Sequence, residues 1–208
     1  MKIGLISDVH ATPGPLQEAL VIFQDAEVDM ILCAGDIVGY GHKPGPTVAL
    51  LQEYDCQVIM GNHDLWWLEG GDRPEAGLTE DFLRGLPATV ELTVSGKRIH
   101  MVHASPPESS LEGIKLLDEK AVLQSDQMSF WGNYLKGFPF DVLVVGHTHQ
   151  VFSVTLGSVL VVNPGSTLFN HTCAILSLPE MEVEIFSLSG KEPVLSWNWG
   201  QFYADVQG

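Results

Sequence analysis

Seven side chains that could bind a metal ion are scattered along the chain, and none of them is a cysteine. They are carboxylates, imidazoles and one amide: Asp8, His10, Asp36, Asn62, His103, His147 and His149. Oxygen and nitrogen donors of this kind suit Mn²⁺, Zn²⁺ or Fe, whereas thiolate-binding metals prefer cysteine. The net charge of the chain is −16, so a phosphate group would need local cations to approach it. Two divalent cations held by these residues would supply that charge.

These seven donors stand at or just after the ends of short apolar segments that we predict to be strands. In an open α/β sheet, ligands collect at the carboxyl ends of the strands, so the donors are expected to meet at one edge. Asp8 and His10 are two residues apart, as are His147 and His149. In an extended chain this spacing would direct both side chains of each pair to the same face. Three glycines would allow tight turns just before donors: Gly35, Gly61 and Gly146.

Apolar runs and helical spacing predict the elements that position the donors. Strands over residues 2–7, 30–34 and 57–60 alternate with helices over 15–25 and 46–54, an order typical of a parallel sheet. Helices are also predicted over residues 79–85 and 118–135, and a strand over 140–145. Hairpins around residues 95–96, 156–157 and 179–180 make the second half mostly antiparallel. We expect one α/β domain over residues 1–208, a four-layer αββα sandwich of two mixed β-sheets flanked by helices.

The overall composition predicts a globular protein outside the membrane. Hydrophobic residues make up 45% and charged residues 17%, and no apolar run approaches the roughly 18 residues that span a bilayer. The acidic charge would repel DNA or RNA, so a nucleic-acid polymer is an unfavourable partner. The N-terminal segment is too polar for a signal peptide, and Cys33, Cys56 and Cys173 are too scattered for a disulfide framework. We expect a cytoplasmic protein, and a homo-oligomer stays open.

The ordered motifs resemble those of the calcineurin-like metallophosphoesterases, especially their small bacterial and archaeal phosphodiesterase-like branch. The matching motifs are Asp8-Val9-His10, Gly35-Asp36-Ile37-Val38-Gly39-Tyr40-Gly41, Gly61-Asn62-His63-Asp64, Val102-His103, Gly146-His147-Thr148-His149 and Asn163-Pro164-Gly165-Ser166. Each motif alone is weak evidence, whereas the complete set in this order, over residues 8 to 166, is a specific signal.

The resemblance implies a phosphoesterase with two divalent cations, Mn²⁺ being favoured over Zn²⁺, Fe or Ni²⁺. The first cation would be held by Asp8, His10, Asp36 and His149. The second would be held by Asp36, Asn62, His103 and His147, so that Asp36 bridges the two. A hydroxide between the cations would attack phosphorus in line.

The resemblance also implies the residues that act on the substrate. His63 would contact the phosphate and protonate the leaving oxygen, and Asp64 would orient His63. Asn62 would serve catalysis and substrate binding as well as the metal. The segment from Asn163 to Ser166 would form a turn beneath the metal site.

Few basic residues stand near the motifs, and this bears on the substrate. The family has an arginine in the loop that corresponds to residues 167–172, and this chain has none there. The protein Ser/Thr phosphatase branch has an arginine where Gly39-Tyr40-Gly41 stands here. A doubly charged monoester would lack its usual bidentate contacts, so we favour a small phosphodiester or nucleotide. The alternatives are a phosphomonoesterase or phosphoprotein phosphatase of the same fold, and a catalytically silent binding scaffold.

Further histidines and tryptophans allow two interpretations each. His100 is predicted to be structural, on the strand face opposite the site. His42 could contact the substrate, and His171 could replace the missing arginine. Trp66 and Trp67 are predicted to pack in the core, with stacking on a nucleobase as the alternative.

Overall fold

Ten strands in two five-stranded sheets form the centre of the computed structural model, which describes residues 1–70 and 76–197. The strands are β1 Lys2–Ile6, β2 Met30–Cys33, β3 Gln57–Val58, β4 Thr89–Val94, β5 Lys97–Val102, β6 Val142–Val144, β7 Val151–Leu156, β8 Val159–Pro164, β9 Thr172–Ser177 and β10 Glu182–Ser187. The helices are α1 Pro13–Asp25, α2 Pro44–Glu53, α3 Asn62–Glu69, α4 Ala76–Arg84 and α5 Ser125–Tyr134. None of the helices among these residues combines the length and apolar character needed to cross a membrane.

The first sheet has the strand order β10-β9-β1-β2-β3. Strands β1, β2 and β3 are parallel to one another, and β9 and β10 are antiparallel additions beside β1. Helix α1 begins with proline in its first turn, where the missing N–H costs no hydrogen bond. Leu16, Leu20 and Phe23 form its buried face and pack with Val48 and Leu51 of α2 on the outside of this sheet.

The second sheet has the strand order β4-β5-β6-β8-β7. The three predicted hairpins are antiparallel, as expected, but the centre of this sheet is parallel, because β5 pairs with β6 and β6 with β8. Helix α5 covers its outer face through Trp131 and Leu135, which pack with Leu143 and Val161.

A third apolar layer lies between the two sheets. It joins Ile3 and Leu5 of β1 with Ile99, Met101 and Val144 of the second sheet, all fully buried. The layers therefore run helix, sheet, sheet, helix, which confirms the predicted αββα sandwich of mixed sheets. The parallel strands of both sheets end at the same edge, where the predicted metal ligands lie.

Two helices differ from the prediction. No helix was predicted over residues 61–69, whereas Asn62–Glu69 forms helix α3. Its start is fixed because the Asp64 carboxylate accepts the Gly61 N–H at 2.9 Å, a contact that stabilises a first helical turn. Helix α5 begins at Ser125, not at residue 118. Asp118 Oδ1 accepts the N–H groups of Lys120 and Val122, each at 2.9 Å, and this local turn competes with a helix.

Candidate metal centre

The seven predicted metal ligands follow the carboxyl ends of parallel strands in both sheets. Asp8 and His10 follow β1, Asp36 follows β2, Asn62 follows β3, His103 follows β5, and His147 and His149 follow β6. Hydrogen bonds tie the two sheets together at this edge. The His147 N–H donates to Asp8 Oδ2 at 3.1 Å, and His103 Nδ1 lies 2.7 Å from the carbonyl oxygen of Ala34.

One group of donors consists of Asp8, His10 and His149, all buried. The Nε2 atoms of His10 and His149 are 3.3 Å apart. The Nε2 atom of His149 is also 3.4 Å from Asp8 Oδ1. Three ligand atoms from two sheets thus converge within 4.8 Å of one another.

A second group surrounds Asn62. Its Oδ1 position lies 3.0 Å from His103 Nε2 and 2.8 Å from His147 Nδ1. The same His103 nitrogen is 3.4 Å from Asp36 Oδ1. His147 and His149 therefore serve different groups, although the sequence analysis expected both to point the same way.

The carboxylates of Asp8 and Asp36 connect the two groups. The resemblance implied Asp36 as the bridging residue, and the structure brings Asp8 within 4.8 Å of His10 and His149 and also of Asp36 and His103. Asp36 Oδ1 accepts the backbone N–H of His63 at 2.9 Å as well. The two buried carboxylates thus lie side by side between the imidazoles.

The orientation of the imidazoles fits a cation. His103 Nδ1 faces the Ala34 carbonyl at 2.7 Å, and His10 Nδ1 faces the Val38 carbonyl at 3.2 Å, so each Nδ1 carries the hydrogen. Each Nε2 is then left to face the oxygens and nitrogens of the group, with either a proton or a cation between. Donation of the outer N–H to a backbone carbonyl is the usual support of a metal-binding histidine.

The carboxylates and imidazoles of the metal-free groups shift one another's pKa values. Burial opposes the ionised forms of Asp8 and Asp36, but the neighbouring imidazoles, chiefly His149 and His103, outweigh it and hold both pKa values below their usual range. Burial lowers the pKa of His10 to about 4. Burial also acts against a charged His103, yet the Asp36 carboxylate dominates and raises the pKa of that ring to about 9. In the metal-free chain His103 therefore carries the proton that a cation would displace.

The backbone at the site adopts left-handed conformations rather than the extended one expected from the sequence. Five non-glycine ligands have positive φ angles: Asp8 (52°), His10 (52°), Asp36 (55°), His147 (64°) and His149 (48°). Asp and His tolerate this region better than most residues, yet it remains sparsely populated. Such strained residues gather at functional sites, where the surrounding structure holds them in place.

Two of the glycines at the site are needed for different reasons. Gly35 has a φ angle of 94°, which a residue with a side chain would rarely adopt. This conformation agrees with the tight turn predicted before Asp36. Gly61 has an ordinary φ of −101°, and its role is close approach. A Cβ there would collide with the carboxylate and the backbone nitrogen of Asp36.

A family model described as the calcineurin-like phosphoesterase superfamily domain matches residues 1–180. The chain belongs to the calcineurin-like phosphoesterase superfamily. The donors described above are the residues on which the resemblance in the sequence rested, and the fold is the predicted one.

Curated relatives of this superfamily member are distant. An uncharacterized protein of Methanocaldococcus jannaschii is 27% identical over 169 residues, 72% of this chain and 63% of that protein; the chain thus spans less than two thirds of its length. Serine/threonine-protein phosphatase 2 of Salmonella typhimurium is 24% identical, over 79% of this chain and 87% of the phosphatase. A phosphodiesterase of Methanocaldococcus jannaschii is 24% identical, over 79% of this chain and 83% of that enzyme.

Asp64 accepts three backbone N–H groups in this phosphoesterase-superfamily chain, contacts that the sequence analysis did not predict. Its Oδ1 accepts the N–H groups of Ile37 and Val38 at 2.8 and 3.0 Å, and its Oδ2 accepts that of Gly61. Burial and the nearby Asp36 raise its pKa to about 7. Asp64 therefore joins the loops that follow β2 and β3, and its expected orientation of the His63 ring stays a prediction.

The segment from Asn163 to Ser166 lies beneath the site but is not the predicted turn, because Asn163 and Pro164 end strand β8 and the turn follows at residues 167–170. Ser166 Oγ donates to the Asp8 carbonyl at 2.6 Å, and Asn163 Nδ2 donates to the Gly146 carbonyl at 2.9 Å. The sequence analysis did not single out Asn170. Its Nδ2 donates to the His149 carbonyl at 2.8 Å, and its Oδ1 accepts the Ser166 N–H at 2.7 Å. Asn170 therefore connects the loop that carries His149 with Ser166.

A cleft of about 540 Å³ opens onto the donors. Among the residues that line it are Asp36, Asn62, His63, His147 and His149, together with Tyr40, Trp66, Lys115, Leu117, Asp118, Glu119 and Trp197. A second cavity, of about 510 Å³, lies at the C-terminal ends of α1 and α2 and the start of β2. None of the predicted donors lines it.

The remaining histidines and tryptophans are distributed as follows. His42 is exposed and His171 half-buried, and neither is among the residues that line the cleft. His100 packs against Phe140 away from the donors, which confirms its structural role. Trp67 packs with the core, as predicted, whereas Trp66 is 53% exposed, so the prediction of core packing was wrong for Trp66.

Proposed function

We propose that this protein is a phosphodiesterase that hydrolyses small phosphodiesters with two divalent cations. The observation that carries the proposal is the convergence of two carboxylates, four imidazoles and an amide oxygen at one edge of both sheets, with backbone carbonyls orienting His10 and His103. A purely structural core would gain nothing from burying Asp8 and Asp36 together, because unpaired carboxylates lose their hydration.

The cations would be held by the two groups of donors described above. One group is Asp8, His10 and His149, and the other is Asp36, Asn62, His103 and His147, with the adjacent carboxylates of Asp8 and Asp36 between them. When bound, two divalent cations polarise the phosphoryl oxygens and lower the pKa of the attacking water. Oxygen and nitrogen donors without sulfur favour Mn²⁺, with Zn²⁺, Fe and Ni²⁺ as alternatives.

His63 is proposed to hold the phosphate. Its ring lines the cleft beside the donors, and its backbone N–H is fixed by Asp36 Oδ1. Burial lowers the pKa of His63, so the ring is neutral near pH 7 and donates an N–H to a phosphoryl or leaving-group oxygen. His42 lies outside the lining of the cleft, and its contact with the substrate stays a prediction.

The lining of the cleft favours a diester over a monoester. Within the described residues, Lys115 is the one lysine or arginine that lines it, and Asp118 and Glu119 line it as well. A monoester carries two charges and is usually held by bidentate arginines. A diester carries one charge, which the cations and the His63 N–H neutralise without further cationic side chains.

The test is a comparison of bis-p-nitrophenyl phosphate with p-nitrophenyl phosphate on the Mn²⁺-loaded protein and after EDTA treatment. We expect Mn²⁺-dependent turnover, faster for the diester, that EDTA abolishes and added Mn²⁺ restores. Faster turnover of the monoester would replace the proposal by a phosphomonoesterase. Stoichiometric metal without turnover of either ester would favour a binding scaffold.

The cysteines support a cytoplasmic location. Cys33, Cys56 and Cys173 are free thiols, and burial raises the pKa of Cys56 and Cys173 to about 12. Unreactive, unpaired thiols are typical of proteins in reducing compartments. We therefore propose that the protein acts in the cytoplasm.

A further inference from the structure

Two exposed aromatic rings flank the histidine that is proposed to hold the phosphate. The His63 ring centroid is 4.7 Å from that of Tyr40 and 4.9 Å from that of Trp66. Tyr40 is 49% exposed and Trp66 53% exposed, and both line the cleft. An ester arm of a phosphate held at His63 would therefore meet an aromatic face before it reached solvent.

Trp66 is not required for the packing of its own helix. In α3 the adjacent Trp67 and Leu68 supply the apolar contacts with the core. His63 and Trp66 are three residues apart and share one face of the helix, so the indole stands directly beside the phosphate-binding histidine. A large aromatic side chain left half in water at this point gains little from burial, and its exposed surface can contact a ligand.

The charge of the cleft argues against a ligand that binds through a long run of negative charges. The carboxylates of Asp118 and Glu119 outnumber the single ammonium of Lys115, so a long anionic chain such as a polyphosphate would be repelled beyond the cations. Carboxylates can accept hydrogen bonds from hydroxyl and amino groups, which nucleosides offer. A volume of about 540 Å³ lies within the range of pockets that hold small organic ligands.

We infer that Trp66, with Tyr40 across His63, forms a stacking platform that selects phosphodiesters carrying a nucleobase on one ester arm. This inference rests on the proposed phosphodiesterase function and names its substrate class. Stacking of a base on an aromatic side chain contributes enough to change affinity by about 10-fold or more, and it tolerates different bases because each has a flat face.

The experiment compares two diesters with the same leaving group, thymidine 5′-(p-nitrophenyl) phosphate and methyl p-nitrophenyl phosphate, on the Mn²⁺-loaded protein. We expect the kcat/KM ratio to favour the nucleoside by about 10-fold or more. Trp66→Ala should collapse this ratio, and Trp66→Phe should retain most of it. Leu65→Ala, on the same helix and 39% exposed but outside the lining of the cleft, should leave the ratio and both rates unchanged.

A binding measurement separates failure of this inference from failure of the proposed function. Calorimetry with adenosine 5′-monophosphate and ribose 5-phosphate should show tighter binding of the nucleotide, and Trp66→Ala should remove the difference. If neither diester is cleaved, the phosphodiesterase proposal fails while calorimetry still tests the platform. If both diesters are cleaved at similar rates, or Trp66→Ala leaves the ratio and the difference in affinity intact, the platform is overturned and the phosphodiesterase stands.

Discussion

The Nε2 atom of His103 lies 3.4 Å from Oδ1 of Asp36, although the two residues follow strands of different sheets. Both side chains are buried. The contact therefore joins the two sheets at the edge where the donors meet, and in the metal-free chain it holds a proton. A cation that binds there replaces that proton, so metal binding and proton release are coupled.

The metal-free protein is expected to lose stability as the pH rises. Asp36 outweighs burial and raises the pKa of His103 from 6.5 to about 9, so the folded state binds a proton that the unfolded state releases. The stability from this pair is complete below pH 6.5 and is lost as the pH passes through about 9. Thermal unfolding in EDTA across this range, compared between the wild type and His103→Gln, measures the effect.

The comparison with His103→Gln is needed because other groups titrate in a neighbouring pH range and also change stability. Burial raises the pKa of Asp64 from 3.8 to about 7, which adds its own loss of stability as the pH rises between these two values. Above about pH 7, the slope of Tm against pH should be shallower in His103→Gln than in the wild type. Equal slopes in the two proteins would show that His103 carries no extra proton in the folded state.

Gly61→Ala is expected to disrupt the site. Its Cβ would collide with the carboxylate and backbone nitrogen of Asp36, and such overpacking destabilises a protein by about 1–3 kcal/mol. The displaced carboxylate should also bind metal more weakly. Urea unfolding and metal titration measure both effects. Gly14→Ala is the matched control, because a Cβ at Gly14 meets nothing within 4 Å; similar losses in both variants would contradict the explanation.

The edge where the donors meet was predictable because the position of each donor depends only on the residues next to it in the sequence. A short apolar run predicts a strand, and a polar residue after it lies at the end of that strand, so Asp8, Asp36 and His103 could be located without knowing the partners of their strands. The hairpins were equally local. By contrast, the parallel centre of the second sheet depends on β8 pairing with β6 across the intervening β7, and no local signal specifies that.

The geometry around His63 could not be predicted for a related reason. Helix α3 begins where the Asp64 carboxylate accepts N–H groups from Ile37 and Val38, 27 and 26 residues away along the chain. An Asn-His-Asp start followed by apolar residues was a usable helix signal, but these residues were considered only as the end of the preceding strand. Without the helix, nothing distinguished Trp66, which lines the cleft, from Trp67, which packs with the core.

Asp64→Asn is expected to act through stability and metal affinity. An amide nitrogen would face at least one of the N–H groups of Ile37, Val38 and Gly61 that the carboxylate now accepts. A buried donor left without an acceptor costs about 1–3 kcal/mol, and the loops that carry Asp36 and Asn62 would separate. Chemical denaturation and metal titration give the two readouts. A fall in kcat with unchanged stability and metal affinity would instead support the predicted orienting role of Asp64.

His63→Ala is expected to reduce turnover and leave the metal content unchanged. The His63 ring lines the cleft, but it belongs to neither group of converging donors, so its removal takes no ligand from a cation. Loss of a hydrogen bond to a charged phosphate lowers kcat/KM roughly 10- to 100-fold. His63→Gln, which keeps an N–H donor, should recover part of that loss. Elemental analysis and kinetics on the Mn²⁺-loaded proteins measure metal content and turnover. A lower metal content in His63→Ala would show that His63 is a metal ligand and would contradict its proposed contact with the phosphate.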